Sequence, residues 1–207
     1  MKEHNVNALN NFIEGWYFND TSICDEIIEW SNNEPNRGYG NVYDNITSKH
    51  GVRKDIKDSI DSNLRDNEDL TLRYNQQLQL CCNKYMEKYP NCDGYWPWAI
   101  ISPINVQHYL PNGGFHQWHT ERFTSVAPMN SRHLVFMTYL NDVTDGGETE
   151  FFHQKIKIKP EKGLTLIWGA DWTFTHRGIT SPTQEKYIVT GWYNYVDPSV
   201  VTPNITI

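Results

Sequence analysis

His119 and Glu121 are the residues whose types and spacing could do chemistry, and only Thr120 separates them. In a β-strand, positions i and i+2 face the same way, so an imidazole nitrogen and a carboxylate oxygen would lie side by side. They make two ligands for one divalent ion, and His176 is available downstream as a third. Two imidazoles and a carboxylate leave three octahedral positions open, the donor set of non-haem Fe(II) oxygenases. A zinc hydrolase is the rival for the same donors. It needs a general base, and no His-Glu-x-x-His helix occurs. The triplet alone arises easily by chance among eight histidines. His108, His116, His133 and His153 compete as ligands, although His116, three residues before His119, would face the other way on a strand.

Lys186 follows His176 by ten residues and opens the run Lys186-Tyr187-Ile188-Val189-Thr190. A lone lysine in an apolar and aromatic strand needs a partner, because burying an unpaired charge is costly. Either it starts the strand at the surface beside water or Glu185, or it holds the distal carboxylate of a dicarboxylic co-substrate.

These residues must be positioned by a mixed α+β scaffold. Thr21-Ser22 can cap a helix through about Trp30, with Ile23, Ile27 and Trp30 on one side. A second helix is expected from Asn67 to Tyr89, with an apolar stripe through Leu70, Tyr74, Leu78, Cys81, Cys82, Tyr85 and Met86, stopped by Pro90. The charged stretch from Lys49 to Asn67 shows no period and reads as a surface loop, a candidate lid over a site. From residue 98 the pattern turns to strands: Trp98 to Leu110, Phe115 to Glu121, Arg132 to Leu140, Thr149 to His153, Ile156 to Ile158, Gly163 to Trp168, Thr173 to Arg177 and Lys186 to Tyr195. Turn chemistry separates them, and Gly146-Gly147 reads as a tight turn needing positive φ. Closely spaced strands after a helical half suggest a double-stranded β-helix, or jelly roll. The expected organisation is one domain over residues 1–207, with 1–97 mainly helical support and 98–196 the jelly-roll core. The segment Gly169 to Trp172 is a second candidate lid, with Trp172 flanking a substrate or capping the barrel.

The chain has 207 residues, eight Trp and twelve Tyr, which fits a folded domain with a substantial core. A net charge of −7 argues against non-specific nucleic-acid binding. No run of about 18 apolar residues marks a transmembrane helix. Cys24, Cys81, Cys82 and Cys92 lack CxxC spacing and read as reduced thiols of a cytoplasmic protein.

Residues 104 to 195 resemble the catalytic core of the prolyl-4-hydroxylase-like Fe(II)/2-oxoglutarate dioxygenases. Ordered landmarks carry the resemblance: Tyr109-Leu110-Pro111-Asn112-Gly113-Gly114-Phe115 leading to His119-Thr120-Glu121, then Leu134 to Asp142, Gly146-Gly147-Glu148-Thr149-Glu150-Phe151, Ile158 to Gly163, and His176-Arg177-Gly178 to Lys186-Tyr187. The resemblance implies that His119, Glu121 and His176 bind Fe(II) and that Lys186 pairs with the C5 carboxylate of 2-oxoglutarate. It implies that Tyr109 and Tyr139 line the co-substrate pocket, that Thr190 lies near the iron, and that Trp192 forms pocket wall. The implied activity uses O2, with ascorbate as a candidate reductant. It hydroxylates a C–H bond with release of succinate and CO2, the favoured substrate being a peptidyl proline. A free amino acid or other small-molecule substrate, or an inert jelly-roll binding protein, are the alternatives. Glu121 stands where the family usually has Asp. Glutamate keeps the charge and ligand type and adds one methylene. A Gly or Ala there would have suggested a halogenase.

Overall fold

Leu134, Val135, Phe136, Met137 and Tyr139 lie on one strand yet serve two cores. Leu134 and Phe136 pack with Ile23, Ile27, Leu70, Tyr74 and Leu78. Val135, Met137 and Tyr139 pack with Phe151, Ile158, Leu166 and Trp168. Alternation of period two sends successive side chains to opposite faces, so a run that is apolar except for Thr138 means a strand covered on both sides.

The computed structural model describes residues 1–4, 11–44 and 49–200. In chain order the strands are β1 (Glu3–His4), β2 (Glu14–Tyr17), β3 (Gly38–Tyr39), β4 (Asn41–Asp44), β5 (Lys49–Val52), β6 (Lys57–Asp58), β7 (Ile60–Asn63) and β8 (Trp98–Ala99). They continue as β9 (Asn105–Tyr109), β10 (Gly114–Phe115), β11 (Arg132–Tyr139), β12 (Thr149–Phe151), β13 (Ile156–Ile158), β14 (Leu164–Gly169), β15 (His176–Gly178) and β16 (Lys186–Tyr195). Two α-helices, α1 (Ser22–Asn33) and α2 (Glu68–Lys88), complete the scaffold.

The larger sheet runs β1-β2-β14-β11-β16-β9-β7-β3, with β8 also on β16. The smaller sheet runs β13-β12-β15, beside the pairs β10-β6 and β4-β5. All pairings are antiparallel, and the two facing sheets form a jelly roll. The helices cover the outer face of the larger sheet. The Asn67 side chain caps α2 by accepting from the Leu70 N–H. Tyr74 of α2 reaches the sheet through its hydroxyl, 2.8 Å from Thr138 Oγ1, which lies 2.8 Å from Thr165 Oγ1. Among the described residues, no helix is long and apolar enough to cross a membrane.

The first half is less helical than its sequence pattern suggests. β1, β2, β3 and β7 precede residue 97 and still join the larger sheet. The stretch from Lys49 to Asn67 is not a loop. It forms β5, β6, β7 and a 3-10 turn over Leu64–Asp66, and β7 pairs with β9. The expected strand Trp98 to Leu110 divides into β8 and β9, and that from Phe115 to Glu121 ends at Phe115. Thr173 and Phe174 lie in or beside a 3-10 turn, Trp172–Phe174, ahead of β15. Trp172 is 66% exposed, its ring edge-on to His153, so it does not cap the barrel. Gly146 and Gly147 adopt φ of 123° and 78°, and a β-carbon at Gly146 would meet the Thr180 carbonyl.

Candidate active site

Two segments distant in sequence are tied together at the backbone before any side chain is considered. The His119 N–H donates to the His176 carbonyl at 3.0 Å, and the His176 N–H donates back at 2.9 Å. The Glu121 N–H and the Thr120 hydroxyl both donate to the Ala170 carbonyl beyond β14, at 3.2 and 3.0 Å. An irregular segment is thereby held where a strand was expected, with its side chains still grouped.

The imidazoles are oriented by their own chain. His119 Nδ1 lies 2.9 Å from the Gln117 carbonyl, and His176 Nδ1 lies 2.9 Å from the Phe174 carbonyl. With the proton on Nδ1, each ring keeps its Nε2 lone pair for a metal. Glu121 Oε1 sits 3.7 Å from His119 Nε2 and 3.6 Å from His176 Nε2. All three donor atoms lie within 4.8 Å of one another. Phe115 stacks flat on His119 at 3.7 Å, and Trp168 meets His176 edge-on at 5.2 Å. Burial alone pushes the Glu121 carboxyl up, but His119, Arg132 and His176 outweigh it and hold it at about 2. Burial and the His119 charge bring His176 down to about 4, against Glu121. A carboxylate beside two imidazoles is the donor set of a hard-to-borderline divalent ion.

His108, His116, His133 and His153 stand apart from this group. His108 stacks on Tyr187 and faces Glu185, and His133 faces the Cys92 carbonyl.

The three donors open onto a cavity of about 1080 Å³. β16 lines it with alternate residues, Lys186, Ile188, Thr190 and Trp192, and β9 with Asn105, Gln107 and Tyr109. Lys186 is only 4% exposed. Its ammonium reaches the Gly147 carbonyl at 3.1 Å and lies 4.8 Å from the centre of the Tyr109 ring. Among the described residues no carboxylate forms an ion pair with it. Burial brings it down to about 8, partly opposed by Glu148. The reading of Lys186 as a surface lysine paired with Glu185 is therefore set aside, since Glu185 instead meets His108 and Tyr187.

Tyr109 faces the cavity, its hydroxyl donating to Gln107 Oε1 at 2.6 Å. Thr190 donates to the Phe136 carbonyl at 3.1 Å. Tyr139 is fully buried and its hydroxyl is within 2.6 Å of Thr149 Oγ1 and 3.1 Å of the Ile158 carbonyl. It thus stands behind Thr149, which does line the cavity, rather than in the wall itself.

Two residues were not singled out by sequence reasoning. Thr149 lay within the Gly-Gly-Glu-Thr run without a role. Arg132 donates from Nη1 to the Glu121 carbonyl at 2.9 Å and to Glu121 Oε2 at 3.0 Å, and its guanidinium stacks 3.6 Å above Trp192. The only signal for Arg132 was a charge at the head of an apolar strand.

Fold and donors together set three residues that could hold one metal ion inside a jelly roll. Residues 104–194 match the model of the 2OG-Fe(II) oxygenase superfamily. The fold is similar to that of a viral collagen prolyl hydroxylase from Paramecium Bursaria Chlorella virus-1, solved with 2OG, at 18% identity and TM-score 0.64, covering 90% of this chain and 97% of the other. It is similar to a Trichoplax adhaerens prolyl hydroxylase solved with a hypoxia inducible factor peptide fragment, at 16% identity and TM-score 0.69, over 90% and 84% of the two chains. A Pseudomonas putida prolyl-4-hydroxylase aligns at 15% identity and TM-score 0.65, over 90% and 94%. No curated protein matches the sequence.

Proposed function

We propose that this chain, one domain over residues 1–207, is an Fe(II)- and 2-oxoglutarate-dependent hydroxylase whose favoured substrate is a peptidyl proline. The observation that carries the reading is Lys186: a buried cation without a carboxylate partner among the described residues, in the same cavity as His119, Glu121 and His176. A buried ammonium held only by a carbonyl and a ring is matched by an incoming anion.

In this reading His119, Glu121 and His176 hold Fe(II) by Nε2, one carboxylate oxygen and Nε2. Lys186 takes the distal carboxylate of 2-oxoglutarate, with Tyr109 and the Thr149 hydroxyl beside it. When bound, iron, 2-oxoglutarate and O2 supply the oxidant that converts C–H to C–OH, with succinate and CO2 as co-products. Glu121 stays ionised at neutral pH and keeps its place without a proton to lose. Phe115, Phe151 and Trp168 pack around the histidines and limit water at the reacting centre. Thr190 and Trp192 complete the wall.

The proline preference is supported by two observations. The cavity exceeds what 2-oxoglutarate alone fills, and its lining includes the rings of Tyr43, Trp118, Phe123 and Trp192, suited to an extended segment with an apolar ring. Each of the three structures of similar fold is a prolyl hydroxylase, and one of them holds a peptide. The free thiols of Cys24, Cys81, Cys82 and Cys92 support the cytoplasmic placement.

The test incubates the protein with Fe(II), 2-oxoglutarate, ascorbate and a panel of proline-containing peptides, free amino acids and small molecules. Succinate release coupled to a gain of one oxygen in a peptide is expected, and loss of both in His119→Ala. Coupled turnover of only a free amino acid would overturn the substrate class. Omitting ascorbate decides whether that reductant is needed. Absence of 2-oxoglutarate binding that Lys186→Ala alters would overturn the activity.

A further inference from the structure

Glu121 is longer by one methylene than an aspartate would be, and that extra torsion lets a carboxylate swing until both oxygens reach one ion. The structure withholds one of the two. Arg132 Nη1 donates to Glu121 Oε2 at 3.0 Å and to the carbonyl of the same residue at 2.9 Å, so one nitrogen grips both the head and the root of the glutamate. Oε1 is left pointing at the two imidazoles, 3.7 and 3.6 Å from their Nε2 atoms. The Trp192 ring centre lies 3.6 Å from the guanidinium carbon and supports the group from one side. Among the described residues Arg132 makes an ion pair with no other acid, and its side chain is 12% exposed.

We propose that Arg132, held on Trp192, is the positioning residue that splits the Glu121 carboxylate and makes it a one-oxygen ligand, which keeps open the position a second oxygen would close. The inference rests on the Fe(II) reading above. Its rival is simpler: the pair neutralises a buried carboxylate, and any cation would do. Lysine separates the two, because it keeps the charge but lacks the planar group that stacks on Trp192 and fixes the direction of the donor.

The experiment uses the full chain loaded with Mn(II). Water-proton relaxation counts the exchangeable waters on the ion, and a titration gives its affinity and that of 2-oxoglutarate for the Mn(II) form. The wild type is expected to keep about three water positions. Arg132→Lys is expected to bind Mn(II) within a few-fold of wild type, to show one water fewer, and to bind 2-oxoglutarate more weakly by on the order of tenfold or more. Arg132→Met should behave in the same way; if it fails to fold, the lysine variant decides alone. An Arg132→Lys protein with the wild-type water count and 2-oxoglutarate affinity overturns the proposal in favour of neutralisation. Loss of Mn(II) binding with the fold intact also overturns it, since Arg132 would then serve affinity rather than geometry. If the wild type takes up no Mn(II), or Glu121→Ala takes it up equally well, it is the Fe(II) reading that falls.

Discussion

His119 and His176 exchange two backbone hydrogen bonds, of 3.0 and 2.9 Å. The ligand frame is therefore built by the sheets. Chelation is expected to leave the far-UV circular dichroism unchanged, while metal in hundredfold excess over its Kd adds about 2.7 kcal/mol of stability and raises the Tm. Unfolding on chelation would show that the bridge does not hold without the ion.

The carboxylate can be tested by length. Glu121→Asp should retain metal and succinate formation, because charge and ligand type are kept. Glu121→Ala should lose both, with a metal affinity lower by about 10–100-fold or more. The measurement is a metal titration followed by a turnover assay, and the reverse order of the two variants would remove Glu121 from the ligand set.

Lys186 predicts a co-substrate effect with a defined sign. Removing a charge-assisted hydrogen bond worth about 1.5–3 kcal/mol raises the KM for 2-oxoglutarate in Lys186→Ala by about 10–150-fold. Burial brings Lys186 down to about 8, so it carries its charge below that pH and loses it above. KM should then climb as the pH passes 8, while kcat at saturating 2-oxoglutarate changes little. Lys186→Arg should flatten the climb, because a guanidinium stays charged. A KM that is flat in the wild type as well would separate Lys186 from the co-substrate.

Thr149 and Tyr139 divide wall from support. The Tyr139 hydroxyl meets Thr149 and the Ile158 carbonyl, and only Thr149 lines the cavity. Thr149→Val should raise the KM for 2-oxoglutarate more than Tyr139→Phe does, whereas Tyr139→Phe should cost about 1–2 kcal/mol of stability by leaving a buried carbonyl short of a donor. Steady-state kinetics beside urea unfolding checks both, and a larger KM change in Tyr139→Phe would place Tyr139 in direct contact.

Tyr74 carries the helix-to-sheet link. Tyr74→Phe breaks the hydroxyl chain through Thr138 and Thr165 and should cost about 1 kcal/mol with unaltered kinetics. A change in kcat would mean that α2 reaches the site.

The candidate site was legible through the ordered landmarks of the resemblance, and strand geometry explains why they meet. Lys186, Thr190 and Trp192 share a face of β16 because strand periodicity puts them there. The grouping of His119 with His176 was legible as a candidate ligand set, although not as backbone geometry, since an isolated bridge has no pattern of its own. Lys57 to Asn63 misled because polarity there marks a wall and not a loop: Lys57, Asp61, Ser62 and Asn63 face the cavity. Arg132 was hidden because its partner, Glu121, is eleven residues away across an irregular turn, and no local spacing links them.

β16 sits between β11 and β9 in the larger sheet, yet it is the last strand of the described chain. The centre of the sheet is laid down after both of its neighbours. During synthesis, His119 and Glu121 emerge long before His176 and Lys186, so a partly made chain lacks the third residue of the donor group and the buried lysine of the cavity. A fragment released early would present an unpaired sheet edge and only half of the candidate site.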